Sequence, residues 1–307
     1  NGKYLINLND CNISDNELLT IKNKLPNSLD ILISQFSYAS WPGNPDDTLA
    51  HKLEAKRILR RLSSQINILK PKFVIPAASF VWFSNKENFW MNKEKVNIRQ
   101  ADQIINKTDS ISIVLKPGDR WTLYDKWNNY ENFNHYDALD NFDDQRVHCP
   151  KLIEIKEFKS AAMSFSKKII EVNNRFILLI ANKILGIGKP LYIYVKDHQI
   201  YGILDIQKGI YNISKEKLSN KYIELSSGTL YEMLTNPWGV DTLIISGCFK
   251  CISYDIKDVV LSLNIANLNS AGFYLNFRTF IQIRNIKSLL KIYRTWSNWN
   301  NEIGISK

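Results

Sequence analysis

Apolar positions along the first eighty residues alternate between short runs and helical stripes. Tyr4-Leu5-Ile6-Asn7-Leu8 and Ile31–Gln35, the latter inside Leu29-Asp-Ile-Leu-Ile-Ser34, are compact apolar runs bounded by turn residues, and the pattern predicts strands. Between them Ser14 stands three residues before Glu17, the spacing of a capping box, so a short helix starts there. The Trp41-Pro42-Gly43-Asn44-Pro45 stretch breaks any regular element. A long helix is expected next, capped by Asp47 or Thr48 and ended by Pro71. Leu49, Leu53, Leu59, Leu62, Ile66 and Leu69 form its apolar side, with Lys52, Lys56, Arg57, Arg60 and Arg61 on the other. Lys72-Phe-Val-Ile-Pro76 then reads as a buried strand, 112–115 as another, and Lys116-Pro117-Gly118-Asp119 as a turn. Strands alternating with helices predict an α/β unit.

Further along the periodicity changes. Residues 126–150, rich in Asn, Asp and Tyr, read as a long loop, and 151–185 as a helix bent near 164–166. After Gly186-Ile-Gly-Lys-Pro190 the pattern turns to strands at Leu191–Val195, 200–206 and Tyr222–Leu225, a short helix at Ser227–Thr235 and a strand at 243–246. A domain boundary is expected near Gly186, which divides the chain into 1–125, a loop and helical connection over 126–186, and a smaller α+β domain over 187–307.

Composition narrows the function classes. A chain of 307 residues with 45% hydrophobic and 23% charged residues can bury one large or two medium cores. No apolar run approaches the roughly 18 residues that would span a bilayer, and no membrane partner is expected. The opening Asn-Gly-Lys lacks a secretory pattern, and, since residue 1 is not Met, an upstream portion of the polypeptide is expected. The net charge of +10 raises a nucleic-acid reading, but the cations are spread along the chain without a run of five. A small anionic substrate is the simpler partner, and nucleic acid is set aside. Cys11, Cys149, Cys248 and Cys251 make no disulfide framework in a chain this long, which fits a reducing cytoplasm. Cys248-Phe-Lys-Cys251 has no second ligand pair for zinc or a Rieske cluster, and the two cysteines read as ordinary strand or turn residues.

The candidate chemistry begins at Asp10, a carboxylate directly after the first strand, where an αβ sheet gathers ligands. Read alone, such an Asp is also a common turn former. Four segments in register add to it: Asn9-Asp10-Cys11; Ile31-Leu-Ile-Ser-Gln-Phe-Ser-Tyr-Ala-Ser-Trp-Pro-Gly43; Lys70-Pro-Lys-Phe-Val-Ile-Pro-Ala-Ala-Ser-Phe-Val-Trp-Phe83; and Asn85-Lys-Glu-Asn-Phe-Trp-Met-Asn92 followed by Val114-Leu-Lys-Pro-Gly-Asp119. Together, over roughly residues 1–125, they resemble the second half of the metallo-β-lactamase domain, closest to the branch of CMP-N-acetylneuraminate hydroxylases. The resemblance implies the second half of an αββα sandwich and a dinuclear metal site, iron favoured and zinc admitted. Asp10 matches its bridging carboxylate, and the remaining ligands would lie upstream of residue 1. Pro76-Ala77-Ala78-Ser79 departs from the superfamily by offering no histidine where its last ligand stands, a departure that favours the hydroxylase branch. The segment from Leu191 to about Ile281 resembles sterol-carrier-type domains, through Tyr222-Ile-Glu-Leu-Ser-Ser-Gly-Thr-Leu230 and Trp238-Gly-Val-Asp-Thr-Leu-Ile-Ile-Ser-Gly247.

Substrate contacts are expected from Gln35, Ser37 and Tyr38, which follow a strand at the catalytic edge. Lys56 and Arg60, one helical turn apart, suit phosphate oxygens, and His135 in the presumed loop suits a pocket rim. His51 reads as a surface residue and His198 as part of a solvated hairpin, while His148 is undecided. The leading reading is oxygenase chemistry on a polar anionic metabolite such as a sugar nucleotide, with its electron source upstream of residue 1 or on an electron-donor partner protein. A metal-dependent hydrolase and a non-catalytic binding module are the alternatives, and a homo-oligomer is compatible with each.

Overall fold

The computed structural model describes residues 2–123, 125–141 and 147–276, and the chain divides into two units. The first comprises Asn1–Gly43, Asp47–Ser84 and Trp90–Val147; the second comprises Asn44–Asp46, Asn85–Phe89 and His148–Lys307. The helices between 155 and 185 therefore belong with the second unit, and the division falls at 147/148 rather than near Gly186.

In the first unit, β1 (Leu5–Asn9), β2 (Ile31–Gln35), β3 (Phe73–Ala77) and β4 (Ile111–Ser112) form an all-parallel sheet in the order β1-β2-β3-β4. The crossings are α1 (Asp15–Lys24), α2 (Thr48–Leu69) and α3 (Ile98–Ile105). Local chemistry sets their limits. Ser14 and Glu17 complete the capping box of α1, Asp47 accepts the Ala50 N–H at the start of α2, and left-handed Lys70 ahead of Pro71 ends α2. A strand order that never reverses, joined by connections of one hand, leaves every helix on the same side of the sheet. The core shows this: Leu8, Leu32 and Val74 pack with Leu18, Leu62, Ile66, Leu69, Ala101 and Ile105.

Register places Leu5, Ile31, Phe73 and Ile111 in one row on the opposite face, with Asn7, Ile33 and Ile75 in the next. That face is apolar yet thinly covered. Leu5 and Ile111 are 54% and 51% exposed, Ile31, Ile33 and Ile75 are half-buried, and Phe73 is sheltered by Trp121 at 5.0 Å between ring centres.

The second unit holds a mixed sheet in the order β7-β6-β5-β8-β9: β5 (Leu191–Val195), β6 (Ile200–Asp205), β7 (Gly209–Ser214), β8 (Tyr222–Leu225) and β9 (Lys250–Ile252). Only β5 and β8 pair in parallel. Its helices are α5 (Ile155–Val172), α6 (Arg175–Leu185), α7 (Ser227–Thr235), α8 (Gly239–Ser246) and α9 (Ile256–Ser270). Helix α7 is fixed at its start by Asp197, which accepts both the N–H and the hydroxyl of Ser227.

Several expectations need correcting. Residues 126–150 are not all loop, because α4 (Tyr130–Asp140) forms within them, tied down through Asn132 to Val114 O and Asp119 and through the Tyr136 hydroxyl to Leu115 O. The helical stretch after 151 runs uninterrupted through 164–166 and breaks at Asn173-Asn174, where Asn174 caps α6. Residues 243–246 are helical, closing on left-handed Gly247; an apolar run this short does not distinguish strand from helix.

Candidate functional site

The carboxyl ends of β1, β2 and β3 bring together Asp10, Cys11, Gln35, Phe36, Ala78 and Ser79, where a parallel sheet presents loop amides and side chains to a ligand. The Ser79 hydroxyl ties two strand ends together, accepting the N–H of Phe36 at 2.9 Å and of Ser37 at 2.8 Å. Ala78 beside it takes a left-handed backbone, φ 52°, a conformation an alanine adopts only where its surroundings hold it.

Helix α2 supplies the charge. Arg57 forms a two-pronged pair with buried Glu54, at 2.7 and 2.8 Å, and is neutralised by it. One turn on, Arg61 pairs with no carboxylate among the described residues. Its Nη2 donates to Gln35 Oε1, and its Nε is buried without a hydrogen-bond partner. Burial, with Arg57 as a like-charged neighbour, pushes the Arg61 pKa below its usual value, while Glu54, Asp10 and Cys11 pull the other way. Next to it, Ser34 donates to Gln65 Oε1 at 2.5 Å and leaves Gln65 Nε2 buried and unpaired. An unmet guanidinium donor on a half-buried cation, with the unmet amide of Gln65 one helical turn away, favours an anion with oxygen acceptors.

A cavity of about 140 Å³ opens on the same edge, lined by Phe36, Phe80, Trp82, Lys95, Tyr136 and Asp140. Phe80 stacks on Tyr136 at 4.0 Å and meets Phe36 edge-on at 5.2 Å. The Lys95 ammonium lies over Trp82 at 5.1 Å, donates to Val81 O and pairs with Asp140 at 3.2 Å. Aromatic walls with one ion pair suit a small planar ring carrying polar groups. The two features begin one residue apart, at Gln35 and Phe36.

The expected site residues divide. Gln35 lies at the edge, engaged by Arg61, and Asp10 is exposed in the turn after β1. Ser37 and Tyr38 point inward: Ser37 Oγ accepts the Val96 N–H, and Tyr38 donates to Met91 O at 2.6 Å, with burial holding its pKa above the usual phenol range. Lys56 and Arg60 are exposed, and the inward cations are Arg57 and Arg61, one residue further along. His135 is exposed on α4 rather than in a loop, near Asp119, whose carboxyl is held low by the Lys116 N–H and then by Asn132. His51 is buried and stacked on Trp90 at 4.6 Å, against the expectation of a surface residue. His198, expected in solvent, bonds to Ile153 O through Nε2 at 2.7 Å.

For a metal, the edge offers Asp10 and Cys11, and among the described residues no three or more His, Cys, Asp or Glu side chains are grouped to hold one. The described residues thus do not compose a complete metal site. Cys248 and Cys251 are free and buried, with thiol pKa values pushed up by burial to about 11 and about 12. Among the described residues no helix is long and apolar enough to cross a membrane. No protein-family model matches the chain, and neither the curated proteins nor the solved structures yield a significant match.

Proposed function

We propose that the carboxyl edge of the first unit holds the anionic group of a polar metabolite, such as a sugar nucleotide, within a metal-dependent enzyme of metallo-β-lactamase type. The observation that carries the anion site is Arg61, a cation drawn into the edge with Nε unmet and, among the described residues, its side chain bonded to a neutral amide. A phosphate or carboxylate at that point would take up the Nε donor and relieve the repulsion from Arg57. The aromatic cavity beside Phe36 is large enough for one small ring, about the size that accepts benzene in an apolar core. The thinly covered row of Leu5, Ile31 and Ile111 supports an αββα reading, because parallel sheets normally have both faces covered.

Asp10 is proposed as one metal ligand, and oxygenase chemistry with an external electron donor as the reaction class. The test is elemental analysis and turnover with protein purified without chelator. The reading requires iron that falls by at least one equivalent in Asp10→Ala, together with turnover needing both oxygen and a reductant. Zinc with oxygen-independent turnover would assign the hydrolase class instead. Unchanged metal content in a folded Asp10→Ala protein would remove Asp10 from the site.

A further inference from the structure

The mixed sheet of the second unit has two unlike faces. Leu191, Ile193, Val195, Ile223 and Leu225 are buried on the side where the helices pack. On the other, register places Tyr211, Ile203, Tyr192, Tyr222 and Ile252 in one row across β7-β6-β5-β8-β9, and Tyr201, Tyr194, Glu224 and Lys250 in the next. All of these side chains retain partial exposure. Tyrosines dominate the rows. Tyr194 and Tyr201 lie 4.6 Å apart across β5 and β6, and Tyr222 stands edge-on to both, at 6.0 and 5.5 Å.

Cations border the rings. Lys208 lies over Tyr211 at 5.7 Å and Lys217 over Tyr222 at 5.5 Å. Lys208, Lys215, Lys217 and Lys221 are all exposed within 208–221, where Glu216 is the sole acid. On the face itself Glu224 is matched across the ladder by Lys250. Lys215, Lys217 and Lys221 stand together on the β7–β8 connection, and Lys208 lies in the β6–β7 turn at the other end of β7. The charge of +10 thereby gains a local meaning that the linear sequence does not display.

We propose that this tyrosine face is a stacking platform for single-stranded nucleic acid. Bases present flat faces to aromatic rings on an open sheet, while lysines at the margin meet the phosphates. A duplex hides its base faces and has no such fit. Stacking with a basic rim also implies weak sequence preference and strong dependence on salt.

The experiment is fluorescence anisotropy on the full chain with labelled oligo-U and oligo-dT about 12 nucleotides long, against a duplex of equal length. Expected is salt-sensitive binding that prefers the single strand. Tyr201→Ala and Tyr222→Ala should each weaken it about 5- to 100-fold, whereas Tyr201→Phe and Tyr222→Phe, which keep the ring, should bind as the parent does. Thermal unfolding by circular dichroism checks that each variant is folded. Should the alanine variants fail to fold, the exposed Lys208→Glu and Lys217→Glu variants decide, with a loss of at least about tenfold expected for the pair. No binding at low salt, equal binding of the duplex, or folded alanine and glutamate variants that bind like the parent would each overturn the proposal.

Discussion

Replacing Arg61 with Met separates two roles that a half-buried cation can play. In the free protein the change removes a charge-assisted bond to Gln35, worth about 1.5–3 kcal/mol. It also removes a guanidinium that is desolvated and set against Arg57, which offsets much of that loss. Net stability should therefore change by no more than about 1.5 kcal/mol, read from urea unfolding. Ligand binding has no such offset, because the anion loses its charged donor outright. With cytidine 5′-monophosphate as the probe in isothermal titration calorimetry, Arg61→Met should weaken affinity by about 1.5–3 kcal/mol, or about 10- to 150-fold. The exposed cations of the same helix are the comparison: Lys56→Ala and Arg60→Ala should each stay within about 1 kcal/mol of the parent. If Arg61→Met binds as the parent does, or if Lys56 and Arg60 carry the affinity, the assignment of the inward face of α2 is wrong.

Leu62 is fully buried between α2 and the sheet, so Leu62→Ala should cost about 2–5 kcal/mol in urea unfolding, and a loss under about 0.5 kcal/mol would misplace the helix. Tyr38→Phe removes the bond to Met91 O and should cost about 0.5–1.5 kcal/mol of stability while leaving ligand affinity unchanged; a change in affinity would return Tyr38 to the binding site. Thiol labelling in the folded state at pH 8 should modify exposed Cys11 and Cys149 well before Cys248 and Cys251. Their raised pKa values, about 11 and about 12, keep thiolate scarce below those pH values, and rapid loss of all four thiols would contradict that burial.

The sheet edge was legible where local signals agree with the fold. Continuous apolar strands such as Ile31–Gln35 announce a parallel sheet, and Ser14, Asp47 and Pro71 mark helix limits by chemistry that needs no tertiary contact. The face of α2 was harder to read. Leu49 looks like part of its stripe but is 68% exposed, whereas Ala50, Ile58, Leu62, Ile66 and Leu69 make the buried line. Leu62, Ile66 and Leu69 belong to both lines, but the first half of the helix buries Ala50, Glu54 and Ile58 instead of Leu49 and Leu53, with Arg57 and Arg61 half-buried beside that line and Lys56 and Arg60 turned outward. Arg61 itself could have been suspected from its place one turn after a Glu54–Arg57 pair. Its missing carboxylate, however, is visible only once Gln35 is seen to be its partner. Helix α4 was concealed because the side chain of its cap residue, Asn129, bonds to Val114, Ser112 and Asp102 rather than to the helix start, and its sequence is polar. Tertiary bonds from Asn132 and Tyr136 hold it, which propensity does not record.

The most direct test of the anion site is the Arg61 Nε–Hε resonance, followed by nuclear magnetic resonance as cytidine 5′-monophosphate is added. A buried donor without a partner should gain one, so the resonance should move downfield and saturate with the same dissociation constant as the backbone amides of Gln35 and Phe36. A resonance that stays fixed while signals elsewhere in the chain shift, or while no signal shifts at all, would contradict it.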